Sequence, residues 1–186
     1  MKMLTAVAAL LLAGSAHAGV INYFTTFEPD GGGLRTGTGS ATASFDDTTN
    51  VFTFFATFSG LSGVTTQSHF HCCTTSPFSG TAGIAVDAPT LPIPIGVSAG
   101  SFGAALDLDD PNNFSAGFIG TGSQNQAISR FVAGLNSGQV YLNIHSSTFG
   151  GGEIRGFMRV PEPTTAALTL VALAALGAMG RRRRGN

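Results

Sequence analysis

The feature that most constrains the fold of this 186-residue chain is a recurring pattern of short apolar, β-branched and aromatic runs separated by turn residues. Such runs fit the pleated, half-buried surface of a strand. Eight of them occur, at residues 20–27, 39–45, 51–58, 64–71, 81–86, 97–106, 139–145 and 153–160. They predict an all-β domain, an antiparallel, Greek-key-like β-sandwich of about seven to nine strands.

Three segments refine this prediction. Residues 126–135 carry apolar side chains at helical spacing, followed by a turn at 136–138, so we expect one short helix there. The turn at 46–50 is typical of a hairpin. Residues 91–95 include two prolines, which lack the amide that a central strand needs, so this segment should be an extended loop.

The charge of the chain is divided unevenly. The whole chain has a formal net charge of −1, but residues 19–163 hold four arginines, no lysine and ten acidic residues, which gives 4 − 10 = −6. A surface that binds a polyanion needs clustered lysine and arginine. The composition therefore argues against a nucleic-acid partner.

Both termini have the pattern of export signals. Residues 1–18 combine a basic start, an apolar run and a small-residue cleavage pattern, so we expect a signal peptide that is cleaved after Ala18. Residues 164–180 are mostly apolar, and a helix of that length rises about 26 Å, the lower limit for spanning a bilayer. The basic residues that follow would stay in the cytoplasm. These are Arg181, Arg182, Arg183 and Arg184.

The order of the last segment, residues 161–184, resembles the PEP-CTERM sorting signal of Gram-negative bacteria. In this chain the motif is Pro161, Glu162 and Pro163, followed by the apolar segment and the arginines. The resemblance implies that an exosortase recognises the motif, removes the tail after transient membrane insertion, and delivers the protein to the cell surface or extracellular exopolysaccharide matrix. A permanent membrane anchor is the alternative.

Three histidines provide the most concentrated chemistry of the expected domain, residues 19–160. His69 and His71 lie two apart in one predicted strand, so they project to the same face. In residues 140–145 the apolar positions should face the core, which sends Tyr141, Asn143 and His145 to the outer, polar side. If these strands are neighbours, the three imidazoles can converge on a copper or zinc ion, with Asn143 supporting a ligand. Exposed strand histidines without a metal are the alternative.

Two further patterns lie close to these histidines. Cys73 keeps the parity of His69 and His71, so it is a candidate fourth ligand that would favour copper. Outside the cytoplasm, however, Cys72 and Cys73 are expected to form a vicinal disulfide or a redox-active pair. The glycine-rich segment 150–156 predicts a tight return in which Glu153 and Arg155 form a surface ion pair.

Several blocks resemble the CHRD domain, first described in the extracellular protein chordin. The blocks are GLSG at 60–63, HFH at 69–71, GQVYLNIH at 138–145 and GGEIRG at 151–156. The resemblance spans about residues 38–159 and implies an extracellular, β-rich module. The pair Cys72 and Cys73 departs from the animal pattern, where glycine and small residues usually follow the H-x-H.

The order of the histidine motifs is also similar to copper/zinc superoxide dismutase, whose β-sandwich is related in architecture to immunoglobulin domains. This likeness implies that His69, His71 and His145 are copper ligands and that Arg155 guides an anion beside the site. The mature chain has no further histidines for a zinc site, so the centre would be copper-only.

We therefore expect an exported CHRD-domain protein of the surface or matrix, sorted by exosortase. It would be a non-catalytic binding or structural module with a histidine-based metal site, and its partners would be exopolysaccharide or envelope components. The absence of a recognisable Ser-His-Asp triad favours this reading. The alternative is a copper-only redox centre with superoxide-dismutase-like activity, although the acidic charge would repel superoxide. A third role is self-association through strand edges.

Overall fold

The computed structural model describes residues 19–87 and 91–161, and it consists mainly of one antiparallel sheet. The expected signal peptide and residues 162–186 lie outside the described residues. The strands are β1 (Val20–Pro29), β2 (Thr38–Asp46), β3 (Val51–Ser59), β4 (Thr65–His71), β5 (Ile84–Val86), β6 (Gly100–Asp107), β7 (Tyr141–Ser146) and β8 (Ile154–Phe157). Each of the eight predicted runs overlaps one of these strands, so the all-β prediction is confirmed.

The strand order across the sheet is β5-β4-β7-β8-β1-β2-β3-β6. The consecutive strands β3 and β4 lie in different halves of the sheet, and β6 returns to pair with β3 while β7 pairs with β4. Connections that pass between the two halves in this way are typical of Greek-key topology. The sheet curls into a half-barrel, so that β1-β2-β3-β6 and β5-β4-β7-β8 face each other across the core.

Phenylalanine rings fill the space between the two halves. Phe70 of β4 is fully buried, and its ring centroid lies 5.2 Å from that of Phe52 and 5.1 Å from that of Phe54, both on β3. Both contacts are edge-to-face, the arrangement that the ring quadrupoles favour. Phe131 packs edge-to-face on Phe52 from the helical side. These contacts hold the curled sheet closed.

Two helices cover one end of the core. The short α1 spans Ala116–Ile119 and the longer α2 spans Gln124–Asn136, where the sequence predicts a helix over 126–135. The helix begins two residues earlier than predicted because Ser123 and Gln126 form a capping box that satisfies its first amides.

Two loops also match their predictions. In the β2–β3 hairpin, Asp46 Oδ1 accepts a hydrogen bond from the Thr48 amide at 2.9 Å, and Asn50 adopts a positive φ of 52°. Asparagine tolerates this conformation better than most residues. Residues 91–94 lie outside the strands, as the prolines predict.

The buried side chain of Glu153 links the turn before β4 to the start of β8. Its Oε1 accepts hydrogen bonds from the amide and the hydroxyl of Ser62, the latter at 2.7 Å. The predicted surface ion pair with Arg155 is wrong. Glu153 is the last residue of the turn before β8, which begins at Ile154, and its side chain is buried. Arg155 lies on β8 and pairs with Asp30 instead.

The environment of Glu153 favours its ionised form. Burial alone would raise the pKa of this carboxyl, but interactions with Ser146, with the amide and hydroxyl of Ser62 and with the Gly63 amide outweigh burial and hold the pKa below 4.5. The charge of Glu153 therefore contributes to stability at neutral pH.

We expect Phe70→Ala to lower the free energy of unfolding by about 3–5 kcal/mol, because it removes the ring on which both halves of the sheet pack. Urea denaturation of the mature domain measures this. The matched control is Phe55→Ala on β3, where the ring is exposed, and we expect a loss below about 0.5 kcal/mol. Equal losses in the two variants would contradict the proposed role of the core.

We expect Glu153→Gln to lower the free energy of unfolding by about 1–3 kcal/mol at pH 7, because the hydrogen bonds to Ser62 lose their charged acceptor. Because folding lowers the pKa of Glu153, its carboxylate stabilises the folded state fully above pH 4.5. This contribution is lost as the pH falls through the folded-state pKa of Glu153. The difference between wild type and variant should therefore shrink on acidification.

Urea denaturation at a series of pH values between 3 and 7 measures this difference. Glu28→Gln, at an exposed carboxylate on β1, controls for the loss of one negative charge. Wild-type and Glu153→Gln curves that stay parallel across this range would contradict the assignment.

Candidate metal centre

The pairing of β4, β7 and β8 places the predicted site residues on one face of the sheet. His69 pairs with Asn143, and Asn143 pairs in turn with Arg155 on β8. The neighbours of His69 and Asn143 along their strands, including Phe70 and Leu142, point to the other face and enter the core. The histidines therefore lie on the side of the sheet away from the phenylalanine core, as the alternation predicts.

The structure brings the three histidines of the mature domain together. One ring nitrogen from each of His69, His71 and His145 lies within 4.8 Å of the other two. Three points at such separations lie within about 2.8 Å of a common centre, and contraction by less than 1 Å would reach the Zn–N distance of about 2.0–2.1 Å. Within the described residues, this is the group of histidine, cysteine and acidic side chains that could hold a metal ion.

Backbone carbonyls orient two of the rings. His71 Nδ1 lies 2.9 Å from the carbonyl oxygen of Ala82, and His145 Nδ1 lies 2.8 Å from that of Gly150. A carbonyl only accepts, so in the neutral rings the proton sits on Nδ1 and each Nε2 carries an unprotonated lone pair. This arrangement of a backbone acceptor behind the ring is typical of metal-binding histidines.

The third ring completes the cluster. His69 Nδ1 lies 3.1 Å from His145 Nε2, and His69 Nε2 lies 3.6 Å from Asp87 Oδ1. His71 Nε2 is buried and has no hydrogen-bond partner among the described residues. If His69 Nδ1 donates its proton to His145 Nε2, the lone pair of His71 Nε2 is left without a donor.

Burial favours the neutral form of His69 and of His71. The pKa of His69 is lowered to about 4 by burial and, to a smaller extent, by His145 and His71, with Asp87 acting in the opposite direction. Burial also lowers the pKa of His71, against the hydrogen bond to Ala82. Neutral imidazole is the form that coordinates metals.

His69 and His145 are buried on their strands, and His71 is half-buried. His69 is only 3% exposed and His145 only 6%. Residues after β4 and before β8 fold over this side of the sheet and supply the Ala82 and Gly150 carbonyls. The ring of Tyr141 stacks on His71 at 4.7 Å with an interplanar angle of 3°. The alternation pattern does not reveal these covering loops.

Asn143 and Arg155 meet at an acidic residue that sequence reasoning missed. Asp30 Oδ2 accepts a hydrogen bond from Asn143 Nδ2 at 2.8 Å, and Asp30 Oδ1 pairs with Arg155 Nε at 3.1 Å. Arg155 also donates to the Gly80 carbonyl at 2.8 Å. Arg155 is thus held by Asp30 and Gly80, and Asn143 by Asp30. Nothing local in the sequence marks Asp30 as their partner.

A glycine makes room for this network. Gly152 has a φ of 122°, and a Cβ there would lie 2.5 Å from both Asn143 Nδ2 and Asp30 Oδ2. Any other residue would collide with the pair and strain the backbone. This accounts for one glycine of the GGEIRG block.

The two cysteines form a vicinal disulfide at the end of β4. Their sulfurs face α2, where a Cβ on Gly134 would lie 2.7 Å and 2.8 Å from them. With its sulfur in the disulfide, Cys73 does not belong to the histidine cluster. The position of Cys73 after the H-x-H in the sequence does not distinguish a metal ligand from half of a disulfide.

The sorting segment is described only at its start. Pro161 is the last described residue, whereas Glu162, Pro163 and the four terminal arginines lie outside, as does the expected apolar helix at 164–180. Among residues 19–87 and 91–161, no helix has the length and apolarity needed to cross a membrane.

Comparison with known proteins identifies two segments. Residues 26–158 match the family model of the CHRD domain, and residues 159–184 match the PEP-CTERM protein-sorting motif. Neither the curated proteins nor the solved structures provide a match. The sorting motif supports export through exosortase to the cell surface of a Gram-negative bacterium. Because the first match covers well over half of the 186 residues, the chain belongs to the CHRD domain family.

Proposed function

We propose that this protein is a surface or matrix module that holds one transition-metal ion between His69, His71 and His145. The observation that carries the proposal is the convergence of three buried ring nitrogens, two of them with the opposite nitrogen bonded to a backbone carbonyl. Copper is the expected ion and zinc the alternative, because imidazole nitrogen suits both.

The metal-free arrangement is energetically unfavourable, which supports a bound cation. His71 Nε2 is buried without a hydrogen-bond partner among the described residues, and leaving such an atom unsatisfied costs about 1–3 kcal/mol. His69 Nδ1 and His145 Nε2 can share one proton across 3.1 Å, but that proton forms no hydrogen bond to His71 Nε2. A cation that accepts all three lone pairs would satisfy the cluster.

The metal would connect separate parts of the fold. His69 and His71 lie on β4, His145 lies on β7, and their backbone partners Ala82 and Gly150 belong to the covering loops. A bound ion would thus crosslink two neighbouring strands and fix both loops. For a module that works outside the cell, this would add stability without catalytic chemistry.

We expect the mature domain to bind about one equivalent of copper or zinc, and His69→Ala or His145→Ala to abolish this binding. Elemental analysis after loading and dialysis measures the stoichiometry, and the Cu(II) paramagnetic resonance spectrum should show coupling to nitrogen nuclei. Metal at 100 times its Kd should raise the free energy of unfolding by about 2.7 kcal/mol.

Gln67→Ala is the matched control, since Gln67 lies on β4 with the parity of the histidines but outside the cluster. It should retain metal. Less than a tenth of an equivalent in wild type, or equal metal content in wild type and His69→Ala, would overturn the proposed centre.

A copper-only redox centre with superoxide-dismutase-like activity is the second candidate. The observation that favours it is the all-imidazole cluster, which fits a copper ion able to supply one-electron chemistry. The surroundings are less favourable for an anionic substrate. Asp30 neutralises Arg155, and residues 19–163 carry a net charge of −6, so electrostatic steering would be weak.

If this second function holds, the copper-loaded domain should accelerate the conversion of two superoxide ions and two protons to dioxygen and hydrogen peroxide. The rate should fall to that of the metal-free protein in His145→Ala. Asp30→Asn should raise the rate at low ionic strength, because it frees the charge of Arg155. A copper-loaded wild type with no activity above the metal-free protein would leave metal binding as the sole function of the centre.

A further inference from the structure

The outer face of the other half of the sheet is open and regular. Outward-pointing positions in the middle of β1, β2, β3 and β6 form three adjacent rows across these strands. The rows are Asn22, Ser44, Thr53 and Ala105; Phe24, Thr42, Phe55 and Gly103; and Thr26, Ser40, Thr57 and Ser101. We name this set the hydroxyl face. These twelve residues include no ionisable side chain, although Asp46 and Asp107 lie in the adjoining row and Arg159 pairs with Phe24 at the edge of the middle row.

Two exposed phenylalanines stand in the middle row of the hydroxyl face. Phe24 is 43% exposed and Phe55 is 53% exposed, whereas most phenylalanines of the sheet are buried in the core. Thr42 lies between them, so the two residues are two strands apart, a separation of about 9.5 Å. Gly103 pairs with Phe55, and a Cβ there would lie 3.1 Å from Phe55 Cδ2, so the missing side chain leaves room for the ring.

Hydroxyl and amide groups surround the two rings. Ser40 Oγ and Thr57 Oγ1 lie 3.4 Å apart on neighbouring strands, so the hydroxyls are within reach of a common ligand group. A shallow cavity of about 180 Å³ lies beside Phe55, with Asn22, Thr42, Ser44 and Thr53 along its walls. The face thus combines flat apolar rings with groups that both donate and accept hydrogen bonds.

We propose that the hydroxyl face binds an uncharged polysaccharide chain that lies across the strands. Sugar rings have C–H faces that can stack on Phe24 and Phe55, and hydroxyl edges that can bond to the serines and threonines. The separation of the rings is close to one disaccharide unit of an extended chain. The proposal rests on the surface location of the module and is independent of the metal centre, which lies on β4 and β7.

Other occupants fit the hydroxyl face less well. The three rows cover about 15 Å by 15 Å, or roughly 200–300 Å², whereas a stable protein interface buries about 800 Å² on each partner. A second copy of the chain would need a larger apolar surface. Nucleic acid and anionic lipid need clustered cations, and the three rows contain none.

The test is retention of the purified mature domain on insoluble cellulose, chitin and β-mannan, with affinity electrophoresis in soluble xyloglucan and β-glucan. Wild type should bind at least one of these polymers. The double variant Phe24→Ser/Phe55→Ser should weaken that binding at least tenfold, because both stacking rings are lost. Thr42→Arg, which places a bulky charge between the rings, should have the same effect and keeps the test valid if the double variant folds poorly.

Leu34→Ser is the matched control, because Leu34 is an exposed apolar residue in a loop away from the face, and it should bind like wild type. His69→Ala should also bind like wild type, which separates this proposal from the metal centre. Failure of wild type to bind every polymer overturns the proposal, as does unchanged binding by Thr42→Arg. A dimer in sedimentation that Thr42→Arg dissociates would assign the face to a second copy instead.

Discussion

The packing of Phe52 and Phe54 on Phe70 is the interaction on which the rest of the structure depends. It joins a strand from each half of the sheet, so it fixes which face of β3 and which face of β4 turn inward. Because side chains alternate along a strand, an inward Phe70 requires His69 and His71 to point outward. The same alternation on β3 places Phe55 outward between the buried Phe54 and Ala56. The core thereby determines where both proposed sites can lie.

The outer side of the sheet is covered by loops in one half and open to solvent in the other. Over β4, β7 and β8, the loops that contain Ala82 and Gly150 fold back and bury the histidines. Desolvation lowers the pKa of His69 and leaves neutral nitrogens that a metal can use. Over β1, β2, β3 and β6 the same side stays open, and its central rows carry mainly serine, threonine and two phenylalanines, with Asp46 and Asp107 at the border. The outer side of the sheet thus carries both proposed sites, one buried and one exposed.

The sequence predicts the strands well because each one depends on local alternation and on the turn residues beside it. The common face of the histidines follows from the same alternation. Their convergence depends on the pairing of β4 with β7, which joins His69 to Asn143 across more than seventy residues of chain. Burial of the cluster and the part played by Asp30 depend on loops whose course has no periodic signal. The inward turn of Glu153 was missed for the same reason.

The histidine strand β4 is held at both of its ends. At its start, Glu153 of the GGEIRG block accepts two hydrogen bonds from Ser62 of the GLSG block, so the turn before β4 is fixed to β8. At its end, the Cys72 amide donates to the Gly83 carbonyl, and the disulfide packs against Gly134 of α2. A strand held at both ends keeps its side chains in place without a ligand. The rings of His69 and His71 are therefore positioned by the fold, and a metal ion would have to order little else when it binds.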